Sequence, residues 1–207
     1  MTSSSEQPTR LAGAGNYVEW LRLSVQEKPI PSTNRARAAA ACLALAQEHH
    51  HSIVLLCEHR IYGSAFALVR VLFEAYVRGE WLISCATDEQ VEYFVTAQEP
   101  PKLDFLIRQI ETQPTFCEGT LSELKTRHWK SMCAYTHSGG LHVQRWQTSD
   151  GVEPNYSWDE IDEVLQFAEI IGSLAAIATL GLSSDENTAE LLHKQFTERM
   201  KCQPPRP

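Results

Sequence analysis

Three groups of residues in this 207-residue chain combine types that can do chemistry. The first is the charged stripe Arg70, Glu74 and Arg78, set at intervals of four inside the mostly apolar segment 67–81. On a helix that spacing puts all three on one face, where Arg70 and Glu74 can pair. Charges embedded in apolar sequence are costly unless paired. The stripe therefore reads either as a structural ion pair tying its helix to a neighbour, or as a pocket wall gripping an anionic or polar ligand. The second group surrounds a Gly-Gly pair: Tyr135, His137, Gly139, Gly140, His142 and Arg145, with Lys130 one helical stretch upstream. Glycine permits positive φ and close backbone approach, and histidine is the side chain whose charge changes near neutrality. His137 can be a helix cap that benefits from the helix dipole. It can also be an acid, base or donor at a pocket mouth, with Lys130 and Arg145 as the cations a phosphodiester transition state needs.

The third group is a pair of Glu-x-x-His motifs, Glu48 with His51 and Glu190 with His193. Two such motifs plus glutamates on two other helices, for which Glu74 and Glu169 are the candidates, would make a ferritin-like di-metal centre. The chain order does not follow that pattern, and chance alone yields about one such motif at this composition. No metal site and no cofactor are expected. There is no Gly-rich phosphate loop, GxSxG or HExxH motif. Cys133 stands four before His137, but helical cysteines in apolar surroundings are inert.

A net charge of -8 repels polyanions at long range, so general DNA binding and membrane-surface binding are not expected. The partners to expect are RNA or a small anionic ligand at a local site, and a second copy of the chain as a homodimer. Six cysteines without a CxxC pair read as free thiols in a reducing, cytoplasmic compartment. The segment 170–182 is apolar over 13 residues, too short for a bilayer and suited to a buried helix.

The elements that must position these residues are helices. Residues 1–15 are expected to fray, 16–202 to form one domain, and 203–207 to be a disordered Pro-rich tail. A short helix is expected over 17–26. The Ala-rich stretch 33–59 and the apolar stretch 64–85 predict two long antiparallel helices. Capping boxes at Thr87, Thr120 and Ser157 predict three further starts. The first of these helices should stop before Pro100, the second at Gly139, and the third at Gly181. Residues 138–156 form a long connection in which the alternating stretch 141–146 is expected to be extended. A final amphipathic helix runs from Asp185 to Lys201, with Leu191, Leu192 and Phe196 inward. The fold class is all-α: a helical bundle around the two long helices.

Two segments together resemble a known group. Arg70-Val-Leu-Phe-Glu74, followed about sixty residues later by Tyr135-Thr-His-Ser-Gly-Gly140, is similar to bacterial all-helical families of unknown function near the HEPN superfamily. The resemblance implies a HEPN-like bundle, often dimeric. It further implies a role in stress, defence or toxin–antitoxin systems, where many HEPN domains are metal-independent endoribonucleases. Their motif places an arginine shortly before a histidine; here Lys130 precedes His137 across six residues. Lysine is a point charge without arginine's planar fork. The leading expectation is therefore a binding module built on Arg70, Glu74 and His137, and the alternative is a ribonuclease using His137.

Overall fold

The computed structural model describes residues 6–96, 101–114, 116 and 119–201. The expectations for residues 1–5, Pro100, Cys117, Cys202 and the tail 203–207 lie outside the described residues. Within them the chain is all helical: α1 (Glu6–Val25), α2 (Asn34–Glu58), α3 (Tyr62–Ser84), α4 (Asp88–Thr96), α5 (Leu103–Ile110), α6 (Thr120–Thr136), α7 (Gly140–Gln144), α8 (Trp158–Leu182) and α9 (Glu186–Lys201).

Local chemistry sets most helix starts. Thr33 caps α2 by accepting from the Ala36 N–H at 3.2 Å. Thr87 and Gln90 satisfy each other's backbone N–H ahead of α4. Ser157 and Glu160 do the same for α8. Thr120 does not cap α6: Gly119, at φ 81, occupies the cap position and Thr120 is the first helical residue. α1 begins eleven residues before the expected Tyr17, at Glu6, because Ala14 and Val18 bury against the core and Arg10 is held by partners on α8. Gly181 lies inside α8 rather than ending it; the left-handed residue is Ser184 (φ 56). In α9, Leu192 is buried, Phe196 is half-buried and Leu191 faces solvent.

A third long helix, α8, joins α2 and α3 at the centre. α8 is as long as α2, at 25 residues, and packs on both α2 and α3. The start of α2 meets the end of α3 at Gly79, where a Cβ would lie 2.8 Å from the Leu43 side chain, so glycine sets the approach of these helices. Leu43, Ile53, Leu72, Phe73, Tyr76 and Trp81 fill the space between them. α8 is apolar and long enough to cross a bilayer, but most of its apolar window is buried inside the protein as the core helix. α5 and α6 pack on α3, while α1 and α9 pack on α8.

Two buried polar groups, one on α8 and one of α2 packed against it, lie beneath this outer layer. Glu169, 1% exposed, accepts from Arg10 at 2.7 Å and from Arg199 at 2.7 Å, and so joins α1 and α9 to α8. Burial pushes its carboxyl pKa up, but the arginines on both sides outweigh that and hold it below its ordinary value. Arg199 also stacks over Tyr17, 4.4 Å from the ring centre. Beside it, the His50 ring of α2 stands edge-on against the Gly172 Cα. A Cβ there would sit 2.1 Å from Nδ1, so only glycine admits the ring.

Two outcomes follow from these contacts. Glu169→Ala leaves Arg199 without its anion and Arg10 with Asp162 alone, and should lower stability by about 3–5 kcal/mol in a urea melt. Burial depresses His50 from 6.5 to about 4. Below about pH 6.5 the unfolded chain takes a proton that the folded chain refuses, so stability is complete above that pH and falls as pH drops to about 4. The expected loss is about 3 kcal/mol. His50→Phe, which keeps a ring beside Gly172, should flatten that segment of the stability–pH curve.

Candidate functional site

The charged stripe of α3 forms as its spacing requires. Arg70 Nε donates to Glu74 Oε1 at 2.7 Å, and Arg78 Nη2 donates to Glu74 Oε2 at 2.7 Å. The Glu74 side chain is 13% exposed and each arginine 23%, so the stripe sits at the edge of the core rather than sealed inside it. Burial raises the Glu74 pKa; the hydrogen bonds from Arg78 and Arg70 outweigh it and leave the carboxyl lowered.

Among the described residues, it is Arg70 that carries the stripe to α6. Its Nη1 lies 2.6 Å from His137 Nε2, and its guanidinium lies 4.7 Å from the centre of the Trp129 ring. Lys125 approaches the same ring at 4.7 Å and pairs with Asp104 at 2.8 Å. A guanidinium has no lone pair to offer, so Nε2 must accept and the neutral imidazole carries its proton on Nδ1. Thr136 adds a further tie, donating to the Ala67 carbonyl at 3.1 Å. Trp129 is the residue that sequence reasoning missed. The signal was its spacing with Met132 and Thr136, three and seven positions on, which defines the face of α6 turned to α3.

The Gly-Gly pair works differently from expectation. Ser138, at φ 51, makes the left-handed turn after α6; Gly139 sits at φ -67. Gly139 is required for closeness instead: a Cβ would lie 3.1 Å from the Ala134 Cα, and its N–H donates to the Ala134 carbonyl at 2.7 Å. Of the stretch expected to be extended, residues 141–144 lie in the short helix α7, closed by N–H groups of His142 and Val143 donating to the Gly139 carbonyl.

α7 carries its residues away from His137 and into an aromatic cluster. His142 Nδ1 donates to the Tyr135 carbonyl at 2.8 Å, and the Tyr135 ring packs edge-on against Phe66 at 4.9 Å. Across from them the Gly63 Cα is ringed by polar atoms. A Cβ there would meet His142 Nε2 and Tyr156 Oη at 3.3 Å and Trp146 Nε1 at 3.4 Å. A cleft of about 460 Å³ opens beside this cluster. Arg145 is committed to Glu160, donating from Nε at 2.7 Å while Nη2 reaches the same oxygen. Lys130 is exposed, and Arg127 pairs with Glu123 at 3.3 Å. Among the described residues, Arg70 is the cation joined to His137 by a hydrogen bond; Lys130 and Arg145 are not.

The Glu-x-x-His residues stay apart from any cluster. Among the described residues no three His, Cys, Asp or Glu side chains converge as metal ligands. Glu74 and Glu169 are each held by two arginines, whose positive charge beside the carboxylate repels a metal cation. Glu48 and His51 border a cavity beside α2, while Glu190 and His193 are exposed on α9. Cys42, Cys57, Cys85 and Cys133 are free thiols. Burial pushes Cys57 up to about 12, so it is no nucleophile near neutral pH. Cys133 meets His137 through a backbone hydrogen bond, and the imidazole Nε2 is turned to Arg70 instead.

Removing Glu74 should release Arg70 and Arg78 together. Because the group is not fully enclosed, Glu74→Ala is expected to lower stability by about 1–3 kcal/mol, measured by chemical denaturation. A melt that superimposes on wild type would show that the stripe holds nothing together.

No curated protein and no solved structure matches the chain. Residues 43–205 match a family of unknown function, DUF6988, a span that begins within α2, holds both Arg70 and His137, and extends past the end of α9. With well over half its length in that match, the chain belongs to the DUF6988 family.

Proposed function

We propose that the chain is a cytoplasmic binding module whose recognition element is Arg70, set by Glu74 and Trp129 and presented together with His137 to an anionic group. The observation that carries the reading is the 2.6 Å hydrogen bond from Arg70 to His137. It ties an arginine already anchored by Glu74 to an exposed histidine. A cation fixed before binding loses little entropy on meeting its ligand. Arg70 Nη2 and the His137 Nδ1–H are donors with no hydrogen bond to any described residue, and a phosphate or carboxylate oxygen suits both. The arrangement also does structural work, because the same bonds clamp α6 to α3. The α2–α3 pair as the axis of a HEPN-like bundle, and a defence or stress role, belong to this proposal.

The ribonuclease reading has less support. A general base needs a free lone pair at its reacting nitrogen, and His137 Nε2 is occupied by Arg70. The cations that reading needs are directed elsewhere, with Arg145 on Glu160 and Arg127 on Glu123.

Titration of the protein with inorganic phosphate, a nucleoside monophosphate and a single-stranded RNA, in chelator, separates the readings. Saturable binding is expected, weakened about tenfold by Arg70→Lys, which keeps the charge and loses the fork. No affinity for any of the three probes would reduce the cluster to a clamp between helices. RNA cleavage that disappears in His137→Ala would establish the ribonuclease instead.

A further inference from the structure

A second cavity, of about 470 Å³, opens between α1 and α2. Arg70, Trp129 and His137 take no part in it. Leu21 and Val25 of α1, Ala40 and Ala44 of α2, and Ile30 give it a mostly apolar lining. Its size lies within the range of pockets that hold small organic molecules, roughly 300–1,000 Å³. Several of its polar groups are already matched. Arg22 donates to Glu19 at 2.7 Å and to Gln26 at 3.0 Å, and Gln47 donates to Thr179 at 3.2 Å.

Glu48 is exposed and His51 and Ser52 are half-buried along the same lining; His50 differs from them in being buried. It forms part of the inner wall, is 1% exposed, and its Nε2 has no hydrogen-bond partner. A buried polar atom left unpaired is a net loss to the fold, and such atoms are rare in native proteins. The ring is held in place by the Gly172 niche rather than by a bond of its own. It is also neutral, since burial holds its pKa at about 4. Glu169, His51, Arg199 and Arg10 all act on this ring electrostatically, and Arg22 and Glu48 line the cavity itself. An anionic ligand head near it would meet the glutamate, and a cationic one the arginines. An uncharged head avoids both.

We propose that this cavity binds a small, mostly apolar molecule carrying an uncharged hydroxyl group, which supplies the missing partner of His50 Nε2. A hydroxyl both donates and accepts, so it satisfies the imidazole in either neutral tautomer. The rest of the molecule covers Leu21, Val25 and Ile30, which line an open site. The site lies apart from Arg70 and does not depend on the anion-binding reading.

The test uses the intact chain and two probes of nearly the same shape, 4-ethylphenol and ethylbenzene, with binding read by calorimetry and by NMR shifts. The phenol should bind about tenfold more tightly than the hydrocarbon. Ala44→Trp fills the cavity from an exposed position and should abolish binding of both while leaving the melting curve unchanged. His50→Phe should bring the two affinities together, and Arg70→Lys should leave them as they are. Equal affinities in wild type, no binding of the phenol, or binding that survives Ala44→Trp would each overturn the proposal. Self-association that buries Leu55, 45% exposed in the single chain, and that 4-ethylphenol does not compete with, would assign the cavity to a second copy and overturn it as well.

Discussion

Glu169 sits where three helices meet, 1% exposed and charged. A lone carboxylate there would be expelled or protonated, because an interior of low dielectric penalises an unpaired ion by several kcal/mol. Arg10 from α1 and Arg199 from α9 make it tolerable, and in doing so fix where both helices lie. Neither helix is strongly apolar: α1 packs on α8 through small and mixed residues, and α9 contributes Leu192 to a minor cluster with Tyr17, Leu21 and Leu180. The ion pairs give these weakly hydrophobic helices a definite register. The apolar cavity between α1 and α2 depends on α1 being held in that place.

The α3 stripe applies the same rule with less burial. Glu74 takes an arginine from one turn before and one turn after, so the charge is largely balanced within a single helix. That frees the outer side of Arg70 for Trp129 and His137 on α6. The site is thus a by-product of a structural necessity: a charge on a core helix had to be paired, and the pair was left at the rim with an open edge. The Arg70 edge can serve as a clamp, a receptor or both, and the loss of the guanidinium fork in Arg70→Lys distinguishes them.

Much of the helical layout was legible in local sequence. Thr33, the Thr87–Gln90 pair and the Ser157–Glu160 pair act within one turn of chain, so their capping is a property of the sequence itself. Errors arose where tertiary contacts outweighed local preference. Residues 6–15 are polar or small and look ready to fray, but Arg10 finds its partners on α8 and Ala14 its place in the core. The alternation of 141–146 suggested an extended strand, but its pairing is confined to the end, where the Arg145 and Trp146 carbonyls accept from the Asn155 and Glu153 N–H groups. The segment instead folds into α7, which turns His142 onto Tyr135.

The candidate site divides along the same line. Arg70, Glu74 and Arg78 were bound to meet once the segment became a helix, because residues four apart share a face whatever surrounds them. That His137 belongs with Arg70, 67 positions away, and that His142, Arg145 and Lys130 do not, was decided by how α6 lies across α3 and how α7 turns away. The three consecutive histidines 49–51 show it most simply. The helix sends them in different directions, but only the approach of α8, with a glycine at position 172, determined that His50 would be the one enclosed. Helical geometry is set by bonds within a turn and can be read in sequence. The partner of a side chain across an interface is set by the packing of whole helices, and that exists only in the folded chain.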